Sequence, residues 1–213
     1  YLIKQGDTEL LMPDWAKIEL DCSKHASQNA QNYYKLYSKA KGAYEYHKQK
    51  FDDALYKKTY YEEILFSIEN AQSFIELDEI KSELEECSLI KEKTPREEKK
   101  IQLQKFEFMD YEILLGKNNK QNDYLVSKAS HPDDIWLHAY NCPSSHVLIK
   151  VKKPKTPVPA KVLEYAAELV KKNSPMKNSG KASVIYTERK NLKKPPGGVL
   201  GYVIYKNEKE IVV

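Results

Sequence analysis

From about Ser27 to Asn70 the chain runs without a proline and with a single glycine, Gly42, and no other feature constrains its fold as much. Proline breaks the helical hydrogen-bond ladder, so a run this long without it permits one uninterrupted helix. Tyr37, Ala40, Tyr44, His47, Phe51, Ala54, Lys58, Tyr61, Leu65 and Ile68 follow at alternating spacings of three and four, which places them on one stripe and predicts a coiled-coil seam. At 1.5 Å per residue this helix would be about 60 Å long, and such a length needs a partner. The Ser27 hydroxyl is the expected N-cap. Leu77, Ile80, Leu84 and Cys87 repeat the three-four-three spacing in a shorter acidic helix, which is expected to fold back antiparallel and cover part of the seam. His47 and Lys58 leave the remainder amphipathic, suited to other segments or to a homodimer through the coiled coil.

The flanking segments have other periods. Residues 2 to 20 break short apolar pieces (Leu2, Ile3; Leu10, Leu11, Met12; Ile18, Leu20) with turn residues such as Pro13 and Asp14, which predicts a two-strand hairpin or wrapping segment. The charged run 91 to 100 around Pro95 reads as a linker. Beyond it, strands are expected at Phe106 to Phe108, Tyr111 to Leu115, Ile135 to Ala139, Ser145 to Val151, Ala182 to Tyr186, Gly201 to Tyr205 and Ile211 to Val213. A short helix is expected within Lys117 to Ala129, and a second, after Pro154, Pro157 and Pro159, through Val162, Leu163, Ala166, Ala167 and Val170. The predicted class is α+β, a long helical coiled-coil arm followed by a compact mixed α/β module. The predicted divisions are a hairpin at 1–26, an arm at 27–90, a linker at 91–103 and the module at 104–213. The first residue is Tyr1 rather than Met, and the chain opens as strand running into turn, so a fragment of a longer protein is expected.

With 213 residues, 41% hydrophobic and 31% charged, and a mean hydropathy of −0.70, the chain lies outside the collagen-like and low-complexity classes. No stretch approaches the roughly 18 apolar residues of a membrane span, and no basic segment leads into an apolar signal region. Cys22, Cys87 and Cys142 are odd in number and far apart, which disfavours a disulfide framework or a zinc finger and suits a reducing, cytoplasmic setting. Charge divides unevenly. Residues 1–90 carry 11 lysines and no arginine against 17 acids, net −6, and residues 91–213 carry 24 basic residues against 14 acidic, net +10. Such a division suggests a C-terminal half that meets a polyanion.

Reactive side chains are densest in Asp133, Asp134, Trp136, His138, Cys142, Ser144, Ser145 and His146. One reading makes Cys142 or Ser145 a nucleophile with His138 or His146 as base; no nucleophile elbow or metal trio supports it, and polar residues shaping a tight turn are the favoured account. There is no P-loop and no dinucleotide fingerprint; Pro195, Pro196, Gly197 and Gly198 read as a turn. No metal or cofactor is expected. Lys117 and Lys120 at a strand-to-helix junction, beside Asn118 and Asn119, and Arg189, Lys190, Lys193 and Lys194 in a loop are suited to phosphate contacts. Trp136, His138 and Tyr140 could stack on unpaired bases, although Trp136, between Ile135 and Leu137, is expected to face the core.

Lys117-Asn118-Asn119-Lys120-Gln121-Asn122-Asp123-Tyr124-Leu125, Asp133-Asp134-Ile135-Trp136-Leu137-His138, Pro143-Ser144-Ser145-His146-Val147 and Lys190-Asn191-Leu192-Lys193-Lys194-Pro195, followed by Gly201-Tyr202-Val203-Ile204-Tyr205, together resemble NFACT-R, the RNA-binding module of the NFACT family. Ser27-Gln28-Asn29-Ala30-Gln31 resembles that family's middle coiled-coil region. Many relatives have Pro-Gly-Ser-His where this chain has Pro143-Ser144-Ser145-His146. The resemblance implies the C-terminal half of a longer, non-catalytic protein that binds the large ribosomal subunit, tRNA and rRNA and supports C-terminal alanine tailing of stalled chains. Lys117, Asn119, Lys120, Arg189, Lys190, Lys193 and Lys194 are then the expected RNA contacts, with Asp134, Trp136, His138, Ser145 and His146 organising the loop. Bacterial members are also called fibronectin/fibrinogen-binding proteins, so a surface adhesin for fibronectin or fibrinogen is the competing expectation.

Overall fold

Pairing begins within the first twenty residues, where Glu9–Leu11 (β1) and Lys17–Glu19 (β2) form an antiparallel ladder with Leu10 opposite Ile18. The computed structural model describes residues 3–12, 16–87, 89, 101–153, 156–195 and 198–213. The expected features at Leu2, Pro13, Asp14, the 91–100 linker around Pro95, Pro154, Pro196 and Gly197 lie outside the described residues. The chain divides into two compact units, residues 1–56 and 57–213.

In the first unit Asn29 ties the strands to the start of the long helix α1 (Ala26–Asn70): its Oδ1 accepts from Asp21 N–H at 2.9 Å and its Nδ2 donates to Asp21 O at 3.0 Å. Tyr33 OH adds a 2.6 Å bond to Glu19 O. The helix starts ahead of the expected cap at Ser27. Gln28 folds its Oε1 back onto His25 N–H at 3.0 Å, while the Gln28 and Asn29 amides reach His25 O, so His25 holds the capping place. The coiled-coil stripe faces outward in this chain, with Tyr37, Tyr44, Phe51, Tyr61, Leu65 and Ile68 all exposed.

The second unit opens with the last turns of α1 packed on α2 (Phe74–Glu86) through Tyr60, Ile64, Ile80, Leu84 and Cys87. α2 folds back with Ile80, Leu84 and Cys87 packed as expected, whereas Leu77, the first residue of that spacing, stays exposed. On α1 the buried stripe runs through Tyr60, Ile64 and Ser67, one residue behind Tyr61, Leu65 and Ile68. Ser73 caps α2, its Oγ accepting from Glu76 N–H at 3.2 Å, and Glu76 in turn accepts from Gln72 N–H at 2.7 Å.

Six strands then form one antiparallel sheet: β3 (Gln104–Phe108), β4 (Tyr111–Gly116), β5 (Ile135–Ala139), β6 (His146–Ile149), β7 (Ser183–Glu188) and β8 (Lys209–Val212), in the order β3-β4-β6-β5-β7-β8. The β3–β4 turn, Met109-Asp110, has both φ angles positive, 49° and 63°, the twist a two-residue hairpin needs. Alternation sends Ile113, Leu115, Leu137, Val147, Ile149 and Val184 to one face, under Val162, Ala166, Ala167 and Val170 of α4 (Ala160–Lys172). Leu114, Trp136, Leu148 and Ile185 point to the other, under Leu125 and Val126 of α3 (Asn119–Ser127). Each such aliphatic side chain removed from water contributes about 1.5–3 kcal/mol, so the central strands are held from both sides. The expected strand at Gly201 to Tyr205 does not join the ladder. Gly201 turns at φ +77°, and only Ile204 bridges, to Lys193. The architecture is α+β, a long helix followed by a sheet-rich module.

Candidate nucleic-acid interface

Where β4 ends, Gly116 lets the first turn of α3 close onto the sheet: a Cβ there would lie 2.6 Å from Asn122 Oδ1 and 2.9 Å from Asn122 N. Asn118 caps α3, its Oδ1 accepting from Gln121 N–H at 2.9 Å. The polar residues that follow meet one acidic stripe of α2. Lys117 Nζ lies 3.0 Å from Glu76 Oε1 and 3.3 Å from Gln72 Oε1, and Lys120 Nζ lies 2.6 Å from Glu86 Oε1 and 2.7 Å from Ser82 Oγ. Asn118 Nδ2 and Gln121 Nε2 both donate to Glu79 Oε2, at 2.6 and 2.8 Å. Asn119 Nδ2 donates at 3.0 Å to Glu83 Oε1, which also accepts from Tyr60 OH at 2.8 Å. Glu83 is 1% exposed, and burial holds its pKa above the usual carboxylate range despite the opposing bonds from Tyr60 and Asn119. Burial, with Glu83 nearby, lifts Glu63 to about 7. Lys117, Asn119 and Lys120 are thus engaged within the chain.

The second basic element is divided in its employment. Arg189 reaches inward, its Nε and one terminal nitrogen donating to Val126 O at 3.1 and 3.0 Å and its Nε to Ser130 Oγ, so it fastens the end of α3. Lys190 pairs with Glu188 and lies 3.6 Å from Asp133 Oδ1; the Glu188 carboxylate, foremost, raises its pKa. Lys194 pairs with Asp123. Lys193 is exposed and has no ion pair among the described residues.

The organising loop residues fall into two groups. Asp134, 1% exposed, accepts from His131 N–H at 2.7 Å, Lys150 Nζ at 2.6 Å and Val151 N–H at 2.9 Å, and its carbonyl accepts from Arg189 N–H. Trp136, His138 and His146 share the α3 face of the sheet. The Trp136 ring stacks on His138 at 5.6 Å between centroids and meets His146 edge-on at 5.2 Å; the two imidazoles also meet edge-on at 5.2 Å. Trp136 is 1% exposed, the expected inward orientation. Burial pushes His138 down to about 4, and burial with the neighbouring His138 holds His146 well below the usual histidine value. Trp136 Nε1, His138 Nε2, His146 Nδ1 and Asn119 Oδ1 are buried without a hydrogen-bond partner among the described residues. Ser144 turns inward, with its Oγ accepting from Ala139 N–H at 3.0 Å. Ser145 is buried. Cys142 packs against the α4-side core, the opposite face from the imidazoles, and burial raises its thiol pKa; no Cys–His pair forms.

Sequence reasoning missed the α2 glutamates. Glu76, Glu79, Glu83 and Glu86 carry the same three-four-three spacing as Leu77, Ile80, Leu84 and Cys87, displaced by one residue, and that displacement was the available signal. It also missed Lys172 and Lys177, exposed at the end of α4 and just beyond it. Among the described residues no group of three or more His, Cys, Asp or Glu side chains could hold a metal, and no helix is long and apolar enough to cross a membrane.

Comparison with known proteins gives two family matches: the NFACT protein RNA binding domain over residues 103–205 and the NFACT N-terminal and middle domains over residues 1–103. The chain is 30% identical over 226 residues to the Rqc2 homolog RqcH of Bacillus subtilis, covering 100% of this chain and 39% of that protein. With the Rqc2 homolog RqcH of Streptococcus suis it shares 34% over 200 residues, 92% of this chain and 36% of the relative. The chain therefore spans well under half the length of these relatives. The solved C-terminal structure of the fibronectin/fibrinogen-binding protein from Streptococcus suis superposes with a TM-score of 0.75 at 34% identity, covering 88% of this chain and 76% of that one.

Proposed function

The chain belongs to the NFACT family, and from that premise we propose that it is the RNA- and ribosome-binding part of a longer, cytoplasmic ribosome-quality-control factor. In this reading it holds large subunits carrying peptidyl-tRNA while stalled chains receive C-terminal alanine tails, and it contributes contacts to tRNA and rRNA but no bond chemistry. The carrying observation is that the RNA-binding match covers the module bearing the Arg189–Lys194 loop, where Lys193 is exposed and Lys190 and Lys194 hold only partly exposed ion pairs. Such pairs are worth little in water and exchange readily for phosphates. Lys117, Asn119 and Lys120 could join them only by exchanging glutamate partners for phosphate. Arg189 acts through the α3 terminus it fastens, and Asp134, Trp136, His138, Ser145 and His146 keep the loop in place. The outward α1 stripe is the surface for a homodimer or for the rest of the longer protein.

The test is binding of the chain to large subunits carrying peptidyl-tRNA at two salt concentrations, with fibronectin as the parallel ligand. The reading expects salt-sensitive subunit binding that weakens and loses salt slope in Lys190→Glu/Lys193→Glu/Lys194→Glu. Unchanged affinity and slope in that variant would refute the loop's role. The second reading, a surface adhesin, is favoured by the name of the Streptococcus suis relative; saturable fibronectin binding at micromolar affinity or better, without subunit binding, would establish it instead.

A further inference from the structure

The second unit holds a pocket of about 280 Å³ lined in part by Phe66 of α1, Lys117 and Asn118 at the start of α3, and Lys172, Asn173 and Lys177 at the end of α4 and beyond it. Its cations are not equivalent. Lys117 is bonded to Glu76 and Gln72, whereas Lys172 and Lys177 are exposed and have no ion pair among the described residues. A surface concavity flanked by two uncompensated ammonium groups attracts an anion. Asn173 commits its Nδ2 to Leu169 O at 2.8 Å, which leaves its Oδ1 to accept from a base or a 2′-hydroxyl. Phe66 adds an aromatic ring to the lining. This combination of cation, amide acceptor and aromatic surface is the chemistry that recognises a nucleotide splayed out of its stack. The volume matters as well. It exceeds several times the roughly 30 Å³ that a water occupies, yet it is far too small to admit a paired helix.

We infer that this pocket takes one unpaired nucleotide of RNA, with Lys172 and Lys177 on its phosphates. The inference rests on the RNA-binding reading above and adds to it a second contact, on α4 rather than on the Arg189–Lys194 loop, and a preference for looped over fully paired RNA.

The test uses the whole 213-residue chain and two RNAs of equal length, a hairpin with an unpaired loop and a blunt duplex, titrated by fluorescence anisotropy over a range of salt. The hairpin is expected to bind at least tenfold more tightly than the duplex. Lys172→Glu/Lys177→Glu should bring it down to the duplex level, and the milder Lys172→Gln/Lys177→Gln should lower the slope of log K against log salt by about 1.4, two phosphates at about 0.7 each. Melting temperatures unchanged from the parent show that both variants fold. If both bind the hairpin as the parent does while Lys190→Glu/Lys193→Glu/Lys194→Glu loses it, the pocket inference falls and the RNA-binding reading stands. Equal affinity of the parent for hairpin and duplex likewise overturns the pocket inference alone. Absence of binding to either RNA overturns both.

Discussion

Glu83 offers a test of how α2 is held to the sheet module. Its Oε1 alone accepts both Tyr60 OH, at 2.8 Å, and Asn119 Nδ2, at 3.0 Å, in a site where the residue is 1% exposed. Glu83→Ala leaves Asn119 Nδ2 buried without an acceptor, about 1–1.5 kcal/mol, leaves Tyr60 OH with only the weak Cys87 Sγ at 3.3 Å, about 0.5 kcal/mol, and opens a small void worth on the order of 1 kcal/mol. Against this, the variant removes a carboxylate that burial already disfavours in its charged form. The balance is a loss of about 2 kcal/mol. Glu83→Gln keeps an oxygen in the Oε1 position for both donors and carries no charge, so it should stay within about 1 kcal/mol of the parent. Amide hydrogen exchange across Phe74–Glu86 at neutral pH reads the difference directly, with about thirtyfold faster exchange expected in the Ala variant, since each 1.4 kcal/mol is about tenfold. Exchange in the Gln variant as fast as in the Ala variant would refute the reasoning, because the bonds through Oε1 would then not be what secures the helix. Exchange in the Ala variant at the parent's rate would refute it equally.

Glu63, lifted to about 7 from 4.5 mainly by burial, makes folding pH-dependent: its contribution is full below pH 4.5, declines as the unfolded carboxylate ionises first, and levels off above pH 7. Urea midpoints from pH 5 to 8 should show the parent losing up to about 3 kcal/mol relative to Glu63→Gln, and parallel curves would contradict this. Asp134→Asn deprives Lys150 of its carboxylate and is expected to cost about 2–4 kcal/mol, read as a lowered melting temperature; an unchanged melt would show that the 2.6 Å pair contributes little. Trp136→Ala should cost about 3–5 kcal/mol, and Trp136→Phe about half as much, because the indole Nε1 has no partner to lose among the described residues. Equal losses in urea unfolding would contradict that ranking.

Helices and most strands were legible because their periods are local. The proline-free run marked α1, Val162, Ala166 and Val170 marked α4, and Phe106 through Leu115 marked the β3–β4 hairpin. The buried side of α1 was misjudged by one residue because Tyr60 and Tyr61, or Ile64 and Leu65, are equally apolar neighbours, and only the docking of α2 selects between them. Gly201 to Tyr205 has strand-like composition, yet its neighbours in space leave it one bridge. The candidate site depended on pairings that a linear reading does not contain. Lys117 and Lys120 resemble free phosphate contacts until Glu76 and Glu86, 41 and 34 residues away, are brought to them. Asp134 and Trp136, by contrast, were recognisable through their motif.

The parallel stack of Trp136 on His138, with ring planes 3° apart, gives the module an optical signal of its own folding. A neutral imidazole against an indole leaves its emission largely intact, whereas an imidazolium withdraws electron density and quenches it. Because burial keeps His138 neutral down to a pH of about 4, emission from this tryptophan in a Trp15→Phe background is expected to hold through the range in which an exposed histidine would already have dimmed it, so that a loss above pH 4 reports the opening of this one face of the sheet.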